Sequence, residues 1–469
     1  MNYSKLLIFS ILTLGLYPLI GQSYDIKVKI KGYTNDTLLL GYYYGDKTYI
    51  KDTAFLNAGE YNFKGDTLLE GGMYLVVVKP AHDFIQILVD DQNQKFQIES
   101  EFQDLNGKVR FKGSKLNQEF YSYLDFLEGQ RLQGDSLNKV FNQEADSMKK
   151  EQIRFKLDQI DKEVKSRQNK IFQNPNYSLI RLLLKLGTEP EIPEFEGTEE
   201  ERKEKAFYHY RSHFFDDIDL NDDRIVRLPL FHGKIDRFLN KLTSQVPDSI
   251  NESLDFILSR TKSESQAYKY ILSTQLTHFA NSKYVGMDGV YVHLVEKYYG
   301  AGKAPWIDKE VQAKMIADAK TLKPLLIDKI APDITVYKKD GTPVSLHSIS
   351  AEYVVLFIWA PDCGHCKSSM PYVLKFYEEF KNKGVEILAV CSKIGEDEKT
   401  CWDAVESLKM GELLNTSDPQ HRSKFRLVYD VKTTPQVYIM DKNKKILTKK
   451  IGAEQLSDVM KKIMELETD

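Results

Sequence analysis

The sequence predicts a multidomain chain, rich in β-strands at the front, all-helical in the middle and α/β at its C-terminal end. Three observations predict this. At 469 residues the chain is too long for one core of ordinary size. Its hydrophobic pattern changes twice, from strand-like alternation before about residue 115 to helical spacing, then from about residue 323 to apolar β-rich runs separated by helix-compatible stretches. Within that last part, the apolar run Val354-Val355-Leu356-Phe357-Ile358-Trp359 stops at a small loop carrying Cys363-Gly364-His365-Cys366.

The elements follow in order. Lys5 precedes an apolar core from Leu6 to Leu16, with Gly21-Gln22-Ser23 after it, so residues 1–22 are expected to be a signal peptide and the protein to reside in the periplasm or cell envelope. Gln22 stands where a lipidated cysteine would be needed, which excludes a lipid anchor; Leu19, a poor residue three before a cut at Gly21, leaves an uncleaved signal anchor as the alternative. No other stretch is apolar for long enough to span a membrane.

Residues 23–115 read as strands. Ile26-Lys27-Val28-Lys29-Ile30-Lys31-Gly32 alternates apolar with basic side chains, and Met73 to Val78 is a buried-type strand. The run Tyr42-Tyr43-Tyr44 could stack on a glycan, but tyrosine is common in strands for packing alone, and packing is the preferred reading. Residues 116–322 read as helices. The stretch Val140 to Phe172 is charged and free of Gly and Pro, as expected of an exposed or hairpin helix, and Thr188 to Glu204 is expected to be a solvated loop.

Residues 323–469 alternate strands with helices. Ala331 to Val336 and Asp340 to Leu346 give two short strands around a turn, and Tyr353 to Trp359 a buried strand. A helix from Cys363 to about Phe380 leads to a second apolar run, Gly384 to Val390. Gln436 to Met440 and Lys445 to Thr448 form a closing hairpin, and a helix ends the chain. Such alternation implies a parallel core sheet with Cys363-Cys366 at a strand's carboxyl end.

Composition narrows the chemistry. A net charge of −3 gives no basic surface for nucleic acid, and four cysteines are too few for a disulfide-stapled scaffold. His209 and His213 share a helical face but lack a third ligand at matching spacing. Asp217, Asp219 and Asn221 begin like a calcium loop, yet Asp222 replaces the required glycine and Leu228 the closing glutamate. No metal and no cofactor is expected.

The Cys363-Cys366 pair remains. A zinc half-site needs further clustered ligands, and Cys391 and Cys401 do not form a second such pair. A purely structural bridge closing so small a loop would constrain the unfolded chain little. Thiol-disulfide exchange is therefore the leading reading: first-turn amides favour a thiolate at Cys363, and Cys366 can close back on it one turn later. Cys391 and Cys401 read first as two buried small hydrophobes; a second disulfide, which an oxidising compartment permits, is the alternative.

The segment Trp359-Ala360-Pro361-Asp362-Cys363-Gly364-His365-Cys366-Lys367, with Pro371 behind it and Thr434-Pro435 further on, resembles the thioredoxin superfamily, most closely its TlpA-like envelope disulfide oxidoreductases. The resemblance covers about the last third of the chain. Phe63-Lys64-Gly65, Gly71 to Leu75 and Phe111 to Ser114 resemble the small β-sandwich placed before such domains in Gram-negative envelope proteins, and Tyr210 to Leu220 resembles the helical domain that joins the two. The implied architecture is a β-sandwich, then an all-α region, then an α/β thioredoxin fold.

The resemblance also implies roles. Cys363 attacks a substrate disulfide, Cys366 resolves the mixed disulfide, His365 tunes the potential, and Pro435, expected to be cis and to face the dithiol, shapes the docking groove. Trp359 is expected to pack under the loop. The sequence departs from the family at three positions: Phe357 replaces a buried acid of thioredoxin and protein disulfide isomerase, Ser369 a glutamate common among TlpA-like reductases, and Asp362 a tryptophan. A carboxylate at Asp362 should oppose a thiolate at Cys363. Gly364-His365 matches the dipeptide of protein disulfide isomerase, which is more oxidising than thioredoxin, so both directions of electron flow stay open.

The expected function is exchange with protein thiols or disulfides by an exported oxidoreductase, with a reductase fed by a membrane electron donor as the leading form. A thiol peroxidase of peroxiredoxin type is one alternative, weakened by Ala360 where a threonine would stand. An envelope binding protein with a secondary redox domain is the other.

Overall fold

The computed structural model describes residues 23–80 and 83–466, so the expected signal peptide lies outside the described residues. These residues form two compact units that divide between Ile235 and Asp236.

The first unit begins with eight strands: β1 (Tyr24–Lys31), β2 (Thr37–Tyr44), β3 (Lys47–Phe55), β4 (Tyr61–Gly65), β5 (Gly72–Val77), β6 (Phe84–Val89), β7 (Lys95–Glu101) and β8 (Arg110–Lys112). They make two four-stranded sheets, ordered β4-β1-β7-β8 and β3-β2-β5-β6. The alternation of β1 is realised residue by residue: Ile26, Val28 and Ile30 are buried while Lys27, Lys29 and Lys31 are exposed. Tyr42 packs against the rings of Tyr49 and Tyr74, with centroids 5.7 and 5.9 Å away, in keeping with a packing role.

Five helices follow: α1 (Lys115–Gln143), α2 (Ser147–Gln173), α3 (Ser178–Gly187), α4 (Glu199–Ser212) and α5 (Leu230–Lys241), in which the division between the units falls. Buried Asn117 joins α1 to the edge of β6, its amide exchanging hydrogen bonds with the Leu88 amide and carbonyl at 2.7 and 2.8 Å. The charged stretch after Val140 is a hairpin, because Asp146 caps α2 by accepting from the Met148 and Lys149 amides. The expected loop to Glu204 is shorter than the sequence reading allowed. Thr198 and Glu201 form a reciprocal capping box, which starts α4 at Glu199.

The second unit opens with α6 (Pro247–Ser259), α7 (Gln266–Ala280), α8 (Asp288–Leu294), which continues into a π-helical turn at Val295–Tyr299, and α9 (Lys309–Leu322). A seven-stranded sheet follows, built from β9 (Thr335–Tyr337), β10 (Pro343–Ser345), β11 (Tyr353–Trp359), β12 (Val385–Cys391), β13 (Leu414–Ser417), β14 (Gln436–Asp441) and β15 (Ile446–Lys449) in the order β10-β9-β13-β12-β11-β14-β15. Four helices accompany it: α10 (Gly364–Phe380), α11 (Glu398–Ser407), α12 (Phe425–Val428) and α13 (Leu456–Leu466). Strand β13 was not anticipated.

Strand β11 lies inside this sheet, parallel to β12 and antiparallel to β14, and all seven of its residues are buried. Val355, Phe357 and Trp359 face a core shared with Cys366, Val373 and Phe376 of α10, while Val354, Leu356 and Ile358 face the opposite core. Two buried faces hold the strand rigidly and fix the loop at its carboxyl end. The preceding helices are tied to the sheet by buried Lys449, whose ammonium bonds to Asp288 of α8 and to the Leu325 carbonyl.

Candidate active site

The loop after β11 delivers Cys363 to the N-cap of α10. Its backbone is extended there (φ −79°, ψ 115°), and the Cys366 amide donates to Cys363 Sγ at 3.1 Å. A sulfur thus occupies the place that Ser or Asp takes in an ordinary cap, where it meets the first-turn N–H groups of the helix. Cys363 is half-buried; Cys366 is fully buried against Trp359 and the α10 core. Both are free thiols.

The two thiols are shifted in opposite directions. Burial, the largest single influence, pushes both thiols up. At Cys363 the neighbouring Cys366 thiol and the amides of Cys366 and His365 outweigh it and hold the thiol below its ordinary value. At Cys366 burial prevails, reinforced by the bond to Cys363, and the thiol is pushed up to about 12. A nucleophile beside a protonated partner is the asymmetry that a two-step exchange needs.

Across from the dithiol lies the turn before β14. The Thr434-Pro435 peptide is cis, as expected, and the Thr434 carbonyl accepts from the Cys363 thiol at 3.2 Å. Pro435 therefore stands one residue from the acceptor of the Cys363 thiol. His365 is exposed; its carbonyl accepts from Ser368 Oγ at 3.0 Å, and its amide contributes to lowering the Cys363 thiol. Among the described residues its imidazole makes no hydrogen bond, so the ring reaches neither sulfur by that route. Phe357 sits in the core as a hydrophobe, and Trp359 is buried beneath the loop.

Two arrangements depart from the preferred reading of the sequence. Asp362 points to Lys393, whose ammonium donates to the carboxylate at 2.7 Å and holds that carboxyl below its usual range. The negative charge expected to oppose the Cys363 thiolate is therefore countered. The signal lay in strand pairing: parallel register puts Cys391 of β12 beside Trp359 of β11, so the residues following each strand, Lys393 and Asp362, meet.

The second arrangement corrects the preferred reading of the other two cysteines. Cys391 and Cys401 are bonded as a disulfide with Cα atoms 6.1 Å apart, both residues buried in the core that also contains Cys366. Helix α11 turns back over the end of β12, and Cys401, in its first turns, meets the last residue of that strand. In the first unit, the rings of His209 and His213 pack 4.2 Å apart and His213 Nδ1 pairs with Asp216. No group of three His, Cys, Asp or Glu that could hold a metal occurs among the described residues.

Three family profiles match the chain: Redoxin over residues 327–463, and two domains of unknown function, DUF5106 over 145–322 and DUF4369 over 24–120. The thiol-disulfide oxidoreductase ResA of Bacillus cereus is 29% identical over 140 residues, which span 29% of this chain and 78% of that protein. ResA of Bacillus subtilis is 27% identical over 142 residues, spanning 29% and 76%. Among solved structures, a domain of a possible thiol-disulfide isomerase from Cytophaga hutchinsonii is 33% identical, with 31% of this chain and 99% of that one covered and a TM-score of 0.29.

Proposed function

We propose, for a chain that is a TlpA-like thiol-disulfide oxidoreductase of the thioredoxin superfamily, the role of an exported reductase of protein disulfides. Cys363 is the nucleophile: its thiolate attacks one sulfur of the substrate disulfide, and the other sulfur leaves as a thiolate. Cys366 loses its proton to water or to that leaving thiolate and attacks Cys363, releasing the second substrate thiol. The substrate gains two electrons and two protons, and the protein leaves with a Cys363–Cys366 disulfide. A membrane electron donor then restores the dithiol. Pro435 borders the site where substrate docks, and His365 adjusts the potential.

The observation that carries this reading is the asymmetry of the pair, an accessible, lowered Cys363 capping α10 over a buried Cys366 held protonated. Reduction is the direction proposed; the His365 imidazole makes no hydrogen bond to Cys363 Sγ among the described residues, so the ring adds none to those that already lower the Cys363 thiol. Export is supported by the apolar segment after Lys5 and by the Cys391–Cys401 disulfide, which suits an oxidising compartment. No helix among the described residues is long and apolar enough to cross a membrane.

The experiment is reduction of a disulfide-linked fluorescent peptide by the pre-reduced full chain. Cys363→Ser should abolish it, and Cys366→Ser should trap the mixed disulfide. A peroxide consumption that matches peptide reduction in rate would replace this reading with the thiol peroxidase.

A further inference from the structure

An open groove of about 230 Å³ adjoins the dithiol, lined among others by Asp362, Lys393, Arg426, Lys432 and Thr434. It meets the reactive sulfur twice, through Asp362, the chain neighbour of Cys363, and through Thr434, whose carbonyl lies 3.2 Å from Cys363 Sγ. Three separate segments each bring a cation: Lys393 follows β12, Arg426 sits on α12, and Lys432 precedes the Thr434-Pro435 turn. Two of these are already paired, Lys393 with Asp362 at 2.7 Å and Lys432 with Asp430 at 3.2 Å. Arg426 is exposed, and among the described residues its guanidinium has neither hydrogen bond nor ion pair.

We propose that this groove is a subsite for a carboxylate, and that the partner it selects is a peptide disulfide with an acidic residue beside the exchanging cysteine. The inference rests on the exchange reading of Cys363 and Cys366. Of the three cations, Lys393 is held by Asp362 and Lys432 by Asp430, so the positive charge left over resides at Arg426, whose planar fork suits a carboxylate. The Asp362–Lys393 pair shows that a carboxylate fits at this end of the groove. The volume falls below the ~300–1,000 Å³ of ordinary small-molecule sites, which suits one side chain of a docked peptide rather than a whole free ligand. The uncompensated positive charge would also draw an acidic segment toward the sulfur that is to attack it.

The test uses the reduced full chain and three peptide disulfides that differ only in the residue flanking the cysteine: Glu, Gln or Lys. Second-order exchange rates are normalised to the Gln peptide within each protein variant, which removes differences in thiol reactivity. The expected order is Glu, then Gln, then Lys, with roughly a three- to fivefold difference between Glu and Lys at low salt that shrinks as salt is added. Arg426→Glu should reverse the order, and Asp362→Asn, which frees Lys393, should widen it; both side chains are exposed, so neither change disturbs the core. Reaction without discrimination, or a preference that survives Arg426→Glu, overturns the subsite alone. No reaction with any peptide removes the exchange reading and the subsite with it. 2-Hydroxyethyl disulfide, which carries neither a carboxylate nor a peptide, reacting as fast as the Glu peptide would contradict a peptide as the selected partner.

Discussion

The amide of Cys366 donates to the Sγ of Cys363 at 3.1 Å, one of the hydrogen bonds that hold the Cys363 thiol below its ordinary value. The same turn of helix buries the Cys366 sulfur beneath Trp359. One local geometry therefore sets the asymmetry on which the proposed exchange rests.

This makes alkylation of the reduced protein strongly selective. The Cys363 thiol is lowered, so its thiolate persists at a pH where an ordinary thiol is protonated, whereas Cys366 remains a thiol until pH approaches about 12. Between pH ~6 and ~9 iodoacetamide should modify one sulfur, with a titration midpoint below that of a free cysteine (~8.5). Cys363→Ser should remove that phase, and Cys366→Ser should keep it at a somewhat higher midpoint. Equal labelling of both sulfurs would contradict the asymmetry.

The Asp362–Lys393 pair should tune the same midpoint in opposite senses. Lys393→Met leaves the Asp362 carboxylate uncompensated next to Cys363 and should raise the midpoint by about half a pH unit. Asp362→Asn removes the charge and should lower it slightly. Both shifts should fade in high salt, since the carboxylate is exposed. Shifts of the same sign would show that the pair does not act on the sulfur electrostatically.

The Cys391–Cys401 bridge closes a short loop between β12 and α11 at a sequence separation of 10. Chain-entropy reasoning gives about 3 kcal/mol for a loop of that size. Cys391→Ala with Cys401→Ala should therefore lower the melting temperature of the second unit by roughly 6–12 °C under oxidising conditions, as read by calorimetry. Peptide-disulfide reduction at ordinary temperature should persist, because Cys363 and Cys366 are separate from the bridge. An unchanged melting temperature would contradict a stabilising bridge.

Lys449 is 2% exposed and pairs with Asp288, so Lys449→Met strands a largely buried carboxylate. A loss of about 3 kcal/mol is expected in urea unfolding of the second unit, and adding Asp288→Leu should recover much of it. A double variant as unstable as the single one would mean that packing, rather than the orphaned charge, sets the cost.

Much of the redox domain was legible because its signals are local. Continuous apolar character from Tyr353 to Trp359 marks a strand buried on both faces, and two cysteines three apart at a helix start have few other uses. What escaped depended on contacts distant in sequence. Cys391 and Cys401 could be read as two hydrophobes until α11 was seen to fold back over β12. β13 has only four residues, Leu414–Ser417, and its place is given by β12 rather than by its own pattern. The Thr434 acceptor is a backbone carbonyl, which no residue type announces. The start of α4 was legible but passed over: Thr198 three residues before Glu201 is a capping-box signal within an apparently featureless acidic stretch.

The equilibrium reduction potential of the Cys363–Cys366 couple tests the reductase most directly, measured in glutathione buffers on the full chain with Cys363→Ser as the blank. The reductase reading predicts a two-electron couple near that of thioredoxin, about −270 mV. A value near about −180 mV or higher would contradict the reductase and place the protein among oxidants or isomerases. Absence of any two-electron couple would remove exchange chemistry altogether.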